Sequence, residues 1–447
     1  MDKIYSCSQL TLIVAAGKDA SYGLPGISSR LRQRQGRAVV HGVTLLQIFP
    51  HPASVLKDSV WAKRGWTYQE GYLSNRRLIF TDYQVSFLCN GMHIAESVKR
   101  APFALNCFDN KYFLDVVPSR AQSQNQKNIY RMKGVGGLIT EYSARRLTYE
   151  SDVILALLGI FRVLERRGIY HIWGVPYQPD DGHGLRLDWY QQASSQRRAG
   201  FPTWSWTGWT GSVEINDRFK DRPRFDVQIG PGSLSILSWP WEPPWHYHGL
   251  YSKPPEYRYL HPTSAPRFLD ITAPIVKLSF EWIQWSNEQK SLPTIIHHTW
   301  QHSGKKESYK IRRHDGLHAI LPMSDSIVAL CYVNLDDQAT TALESGSMCG
   351  VVLCCEGQTT KKSSFRHYYI IILKTREHGD FFERAGLIQV RHFETPRTNK
   401  STHWSHLGNP PMRYLDGSGN VLDDVDLDLK SKPLWLENAE IRNIKLG

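Results

Sequence analysis

Residues Trp61 to Cys89 constrain this chain more than any other stretch, reading W-A-K-R-G-W-T-Y-Q-E-G-Y-L-S-N-R-R-L-I-F-T-D-Y-Q-V-S-F-L-C. They fit a helix turn, a strand, a tight turn and a second strand into one block, so the fold around them mixes α and β. Trp66, Glu70 and Leu73 fall at i, i+4 and i+7, so on a helix they share one face. Burial beside an apolar ring raises a carboxyl pKa, and a nearby arginine lowers it again. Two readings of Glu70 stay open. In one it is ion-paired to Arg64, Arg76 or Arg77 and fixes the helix against the sheet. In the other it is a catalytic or ligand-holding carboxylate, because perturbed acids cluster at functional sites.

The same residues resemble the C-terminal signature of the fungal heterokaryon incompatibility (HET) domain, which reads roughly R-G-W-T-L-Q-E followed by L-S-x-R. Here the block is Arg64, Gly65, Trp66, Thr67, Tyr68, Gln69 and Glu70, then Leu73, Ser74, Asn75 and Arg76, with Tyr68 at the usual leucine position. Upstream, Met1 to Ser28 resembles the middle of such a domain, where a helix ending in M-x-x-I-Y precedes a buried strand and a G-L-P-G loop. Leu10 to Ala16 is a continuous apolar run closed by Gly17, as expected of a central strand covered on both faces. Gly23-Leu24-Pro25-Gly26 is turn punctuation.

Further words follow in family order. Arg146-Leu147-Thr148 through Ser151-Asp152 to Leu158-Gly159-Ile160 is similar to a block that follows the HET domain in many of these proteins. So are Trp173-Gly174-Val175-Pro176 and the run Phe201 to Trp209, F-P-T-W-S-W-T-G-W. The resemblance implies fungal self/non-self recognition and programmed cell death, acting by regulated association with protein partners or with itself. Trp66 to Glu70 is also a W-x-x-x-E pattern, and HET domains are similar at a distance to TIR domains, some of which cleave NAD with such a glutamate. That likeness implies an alternative in which Glu70 is catalytic and NAD is the substrate. A full HET domain carries a first half with Y-x-x-L-S-Y-x-W-G-like and W-I-D-x-x-C-I-x-Q-like strands, and neither word occurs here. The resemblance therefore implies an N-terminally truncated domain with uncovered strand edges and apolar faces. An activity built from both halves would be missing, which leaves an inactive remnant as a further alternative and weighs against an enzyme.

Between the HET-like block and its follower, Lys133-Gly134-Val135-Gly136-Gly137 lacks phosphate-loop spacing and reads as a flexible turn before Leu138. The clearest helix comes next. Ser151 suits its cap and Asp152 its first turn, and Ile154, Leu157, Leu158, Phe161 and Leu164 make one apolar stripe before Gly168 ends it. In Trp204-Ser205-Trp206-Thr207-Gly208-Trp209, strand alternation would put Trp204 and Trp206 on one face, serving packing rather than ligand stacking. From residue 213 on, short runs dominate: Ser233 to Leu237, Ile271 to Phe280, Ile327 to Val333, Val351 to Cys355, Tyr368 to Leu373 and Leu387 to Val390. Pro240, Pro243 and Pro244 punctuate them. The fold expected is an α/β HET-like, distantly TIR-like remnant over 1–100, a helical connector with a Trp-rich end over 101–212, and a β-rich antiparallel domain over 213–447.

Composition removes several classes. At 447 residues with 41% hydrophobic content the chain builds real cores and is not a disordered protein. The net charge of +12 is scattered, and its densest run, Arg30 to Arg37, reads as a solvated loop, so nucleic-acid binding is the lesser reading. Seven cysteines without regular spacing argue against a disulfide framework. Cys354 and Cys355 read as buried strand residues. His246-Tyr247-His248 and His297-His298 lack ligand spacing, so no metal and no resident cofactor are expected. Lys3 with Leu10 to Ala16 is too short and too polar in its flanks for a secretory signal. No run nears the roughly eighteen apolar residues of a spanning helix, and a cytoplasmic location follows.

Overall fold

The computed structural model describes residues 2–27, 29–89, 93–97, 133–178, 185–192, 195–215, 225–230, 233–238, 266–283, 298–302, 305–309, 316–323, 327–335, 348–355, 365–375, 381–393, 413–416, 421–422 and 433–447. Pro240, Pro243, Pro244, His246, His248 and His297 lie outside these residues. The chain forms two compact units, residues 1–176 with 211–217, and 177–210 with 218–447.

The first unit is mixed α and β. Helix α1 (Asp2–Cys7) leads into strand β1 (Thr11–Val14), and a hairpin of β2 (Arg37–Val40) and β3 (Val43–Leu46) follows. Three short helices come next, α2 (Pro52–Asp58), α3 (Val60–Lys63) and α4 (Thr67–Leu73), then strands β4 (Arg76–Phe80), β5 (Val85–Cys89) and β6 (His93–Ala95). Ser59 separates α2 from α3 by accepting from the Ala62 amide at 3.1 Å, an N-cap that satisfies an orphan donor. Thr81 closes the β4–β5 turn, its hydroxyl donating to the Gln84 carbonyl at 2.7 Å. The helix, strand, turn and strand expected over Trp61–Cys89 are all present.

The sheet runs β1-β4-β5-β6, with β1 parallel to β4 and the other pairs antiparallel. This corrects the reading of Leu10–Ala16 as a central strand. Among the described residues β1 is an edge strand: Ile13 is fully buried, but Leu12 and Val14 are 55% and 39% exposed. Burial here alternates because only one face meets the core of Ile13, Ala53, Leu56, Trp61, Ile79 and Leu88. Among the described residues the outer edge of β1 is unpaired and its Leu12 and Val14 side chains are exposed.

Lys133 to Gly137 is helical, not a turn, and opens α5 (Lys133–Ser143). Each interior glycine costs about 1 kcal/mol relative to alanine. Val135, Ile139 and Tyr142, spaced i, i+4 and i+7, are at most 2% exposed, and their burial outweighs that cost. Nor does Ser151 cap the next helix. Glu150–Val153 is a 3₁₀ turn and α6 (Leu155–Glu165) begins after it. Helix α6 ends as expected: Gly168 takes a φ of 78° and the Ile169 amide returns to the Leu164 carbonyl at 3.1 Å.

The second unit is β-rich. Its main sheet joins, in order, Phe225–Gly230, Ser233–Ser238, Leu269–Ile283, Met348–Cys355, Phe365–Thr375, Phe382–Phe393, Ile327–Leu335, Arg413–Asp416 and Val421–Leu422, with Gly316–Pro322 and Glu440–Leu446 pairing off this path. Pairing is antiparallel except between Ser233–Ser238 and Leu269–Ile283 and at the Phe382–Leu446 contact. Every run named from the sequence after residue 213 lies in one of these strands. Val352, Tyr368, Ile370, Ile388, Val390 and Trp435 are in its core, with Trp435 edge-on to Tyr368 at 5.5 Å.

The tryptophan-rich run is packing, as expected, but not a strand. Ser205 caps a 3₁₀ turn at Trp206–Gly208, and Trp204, Trp206 and Trp209 are at most 4% exposed. Trp189 Nε1 donates to the Trp204 carbonyl at 3.0 Å, Trp204 Nε1 to Arg267 O at 2.9 Å, and Trp209 Nε1 to Thr203 O at 2.9 Å. Indole N–H groups tied to backbone carbonyls suit a core rather than a stacking platform.

Candidate functional site

The expected site residues are in and beside α4. Trp66 is at its N-terminus in helical conformation, and Thr67, Gln69, Leu73 and Ser74 are buried. Thr67 holds the entry turn by donating to the Arg64 carbonyl at 2.7 Å and to the Trp61 carbonyl. Ser74 closes the helix, donating to Glu70 O at 2.7 Å and sharing a 2.7 Å hydrogen bond with Thr11. Asn75 donates to Ser6 O at 2.9 Å, tying the helix end to α1.

Glu70 is half-buried, and burial pushes its carboxyl above the ordinary glutamate value against hydrogen bonds from Tyr5 and Trp61 and the field of Arg64. Trp61 Nε1 is 3.4 Å from Glu70 Oε2. The partners are therefore Tyr5 and Trp61, not the arginines expected, and among the described residues no cation lies within 4 Å of this carboxylate. Tyr5 is pushed up to about 12 by burial and by Glu70, so it stays a hydrogen-bond donor across the physiological range.

Arg76 and Arg77 divide by strand alternation. Arg76 is exposed. Arg77 is fully buried and donates from Nε to the Gly71 carbonyl at 2.8 Å. Its two terminal nitrogens lack a hydrogen-bond partner, and burial lowers its pKa to about 10. Gln69 is fully buried with both side-chain polar atoms unpartnered, an arrangement that costs stability.

The HET-like block and the follower block meet directly. The Gly65 amide donates to the Arg146 carbonyl at 2.7 Å, and the Arg146 amide to Lys63 O at 2.7 Å. A Cβ on Gly65 would lie 2.5 Å from Leu147 Cδ2, so a larger residue here would have to displace the Leu147 side chain. Trp66 Nε1 donates to Asp152 Oδ2 at 3.1 Å. The Tyr68 hydroxyl donates to Glu141 Oε2 at 3.0 Å, while the Arg145 guanidinium lies 4.6 Å over the Tyr68 ring. Gly159 lets α6 approach α4 closely, since a Cβ there would be 2.6 Å from Gln69 Oε1 and 3.0 Å from Leu73 Cδ1.

Asp2 joins α1 to α6, accepting from Arg162 at 3.2 Å and Arg166 at 3.4 Å. Burial works to raise its pKa, but the hydrogen bond and charge of Arg162 prevail and lower it. Trp61, Tyr5, Glu141 and Asp152 were not among the expected site residues. Asp152 carried a signal, since it belongs to the Ser151-Asp152 word; the partnership of Tyr5 with Glu70 exists only in the tertiary fold. Among the described residues no group of three or more His, Cys, Asp or Glu side chains could hold a metal ion, and no helix is long and apolar enough to cross a membrane.

These residues define a helix-on-helix module attached to a small sheet. Residues 1–70 match the family model described as Heterokaryon incompatibility protein (HET). The match lies within the first unit and ends at Glu70. No curated protein and no solved structure matches the chain.

Proposed function

We propose that this chain acts in heterokaryon incompatibility, signalling programmed cell death in the cytoplasm of a fungal cell through regulated association of its N-terminal unit with protein partners or with further copies of itself. The match of residues 1–70 to the HET family carries this reading. The packing of Gly65, Trp66 and Gln69 against the Arg146–Ile160 segment supports it, because it makes the matched residues part of one packed body that can associate as a whole.

A second reading has its own observation. A half-buried carboxyl with a raised pKa, two hydrogen-bond donors and no cation within 4 Å suits a glutamate that acts on a ligand. In that reading the unit is a TIR-like remnant, and Glu70 supports cleavage of NAD.

Induced expression in fungal cells at matched abundance separates the two. Association predicts that the wild-type chain and Glu70→Gln both kill, and that Trp66→Ala does not. The enzyme predicts that Glu70→Gln stops both death and the fall in cellular NAD. If the wild-type chain is harmless, both readings give way to an inactive remnant.

A further inference from the structure

The hairpin β2–β3 stands apart from everything the HET-like block explains. All of its strand residues are exposed, with Val39 at 62%, Val40 at 47%, Val43 at 61%, Leu45 at 52% and Leu46 at 57%. Register places Ala38 opposite Leu45 and Val40 opposite Val43, so one face is wholly apolar. The other face carries Arg37 opposite Leu46 and Val39 opposite Thr44. Among the described residues the two strands pair only with each other, leaving both outer edges with unused backbone groups.

This is no frayed loop. His41 and Gly42 take φ values of 48° and 78°, the positive pair that a tight two-residue hairpin turn requires. Its base is tied down: the Gln47 amide donates to Gly36 O at 2.8 Å, and the Gln33 amide to Asp82 O at 2.7 Å. Arg32 pairs with Glu96, and the Phe49 ring lies 5.6 Å from that of Tyr83. An isolated two-stranded hairpin is marginal in water, and one with apolar faces more so. Anchored at the base and uncovered above it, this one is built to be covered.

Charge identifies the cover. Between Asp19 and Asp58 there is no acidic residue, while Arg30, Arg32, Arg34, Arg37 and Lys57 are all basic. Arg34 and Arg37 are exposed, and among the described residues neither has an ion-pair partner within 4 Å. A second copy of the hairpin would bring further basic residues and no acidic one from between Asp19 and Asp58 to offset them. A lipid interior would leave the open strand edges unsatisfied. An extended acidic segment fits: added as a strand, it pairs an edge, continues the apolar face with alternate residues and turns its carboxylates to the face that carries Arg37.

We infer that β2–β3 is a docking hairpin for an extended protein segment that alternates apolar and acidic residues. The inference rests on the association reading for its cellular meaning. The test is fluorescence polarisation of the full chain with a short labelled peptide alternating valine and glutamate, and with its valine–lysine counterpart. The expected result is capture of the acidic peptide at least about tenfold tighter than the basic one, weakening with salt. Val40→Lys with Leu45→Lys, both at exposed positions, should abolish capture. Arg34→Glu with Arg37→Glu should reverse the preference, which a merely unfolded variant cannot do. Equal affinity for both peptides, or capture indifferent to these changes, overturns the proposal. So does failure to bind peptide together with hairpin-dependent co-sedimentation with phosphatidylserine vesicles. Capture that obeys these rules, while the Lys variants still kill cells, leaves the docking site standing and separates it from cell death.

Discussion

The Glu70 carboxyl faces Tyr5 and Trp61 in a half-buried position, and burial raises its pKa. A folded-state pKa above the unfolded value means the group's stabilising contribution is present at low pH and is lost as pH rises through the folded value. Glu70→Gln should therefore match the wild type in acid and be more stable above the carboxylate range. Thermal midpoints from about pH 4 to about pH 8 check this, and a constant difference would contradict it. Gly159→Ala should cost about 1–3 kcal/mol by overpacking against Gln69 and Leu73, read as a lower denaturant midpoint. The spacing of Trp66 and Glu70 made this carboxylate stand out in the sequence. Its partners are not legible there, because Tyr5 reaches Glu70 only through the tertiary fold. Alternation along β4 already separates Arg76 from Arg77, and the interior position of Arg77 follows from it.

Between elements, α4 is held to the helical segment by contacts that join residues far apart in the chain. Trp66→Phe keeps the ring but loses the hydrogen bond to Asp152, and should cost about 1 kcal/mol. In a double-mutant cycle with Asp152→Ala the losses should be less than additive. Full additivity would show that the two side chains do not interact. In the β-rich unit, buried Arg384 lies 3.5 Å over the Trp189 ring and donates to Leu187 O at 2.8 Å and to the Trp189 carbonyl. Arg384→Met should lower that unit's thermal midpoint by removing donors from buried carbonyls. The strands after residue 213 were legible because β-branched runs and alternation agree there. Helix α5 was not, because its glycines mask the Val135, Ile139 and Tyr142 stripe that sets its structure. Leu10–Ala16 reads as a central strand because composition alone cannot report that, among the described residues, β1 pairs on one side only.

For the molecule, pH dependence comes from a few groups in the first unit that act in opposite directions. His171 stacks on Phe161 at 4.0 Å, and burial lowers its pKa from 6.5 to about 4. Its contribution is present above about 6.5 and is lost as pH falls toward 4. The remaining exposure of the ring tempers the size of the effect. Asp2, also lowered, follows at more acid pH as its ion pairs with Arg162 and Arg166 are lost. His171→Phe should flatten the loss between about pH 6.5 and pH 4 and leave the Asp2 step in place, as equilibrium unfolding at several pH values would reveal. The family words around Arg64 and Arg146 could be read in the chain, but not that they touch; the Gly65–Arg146 hydrogen bond and the Trp66–Asp152 pair join them. That union is the central claim, and native-state hydrogen exchange tests it most directly. The amides of Tyr68 to Leu73 and those of Leu157 to Leu164 should open with the same free energy and fall together in Trp66→Phe. If the α4 amides exchange freely while the α6 amides stay protected and unmoved, the two blocks are separate and the account is wrong.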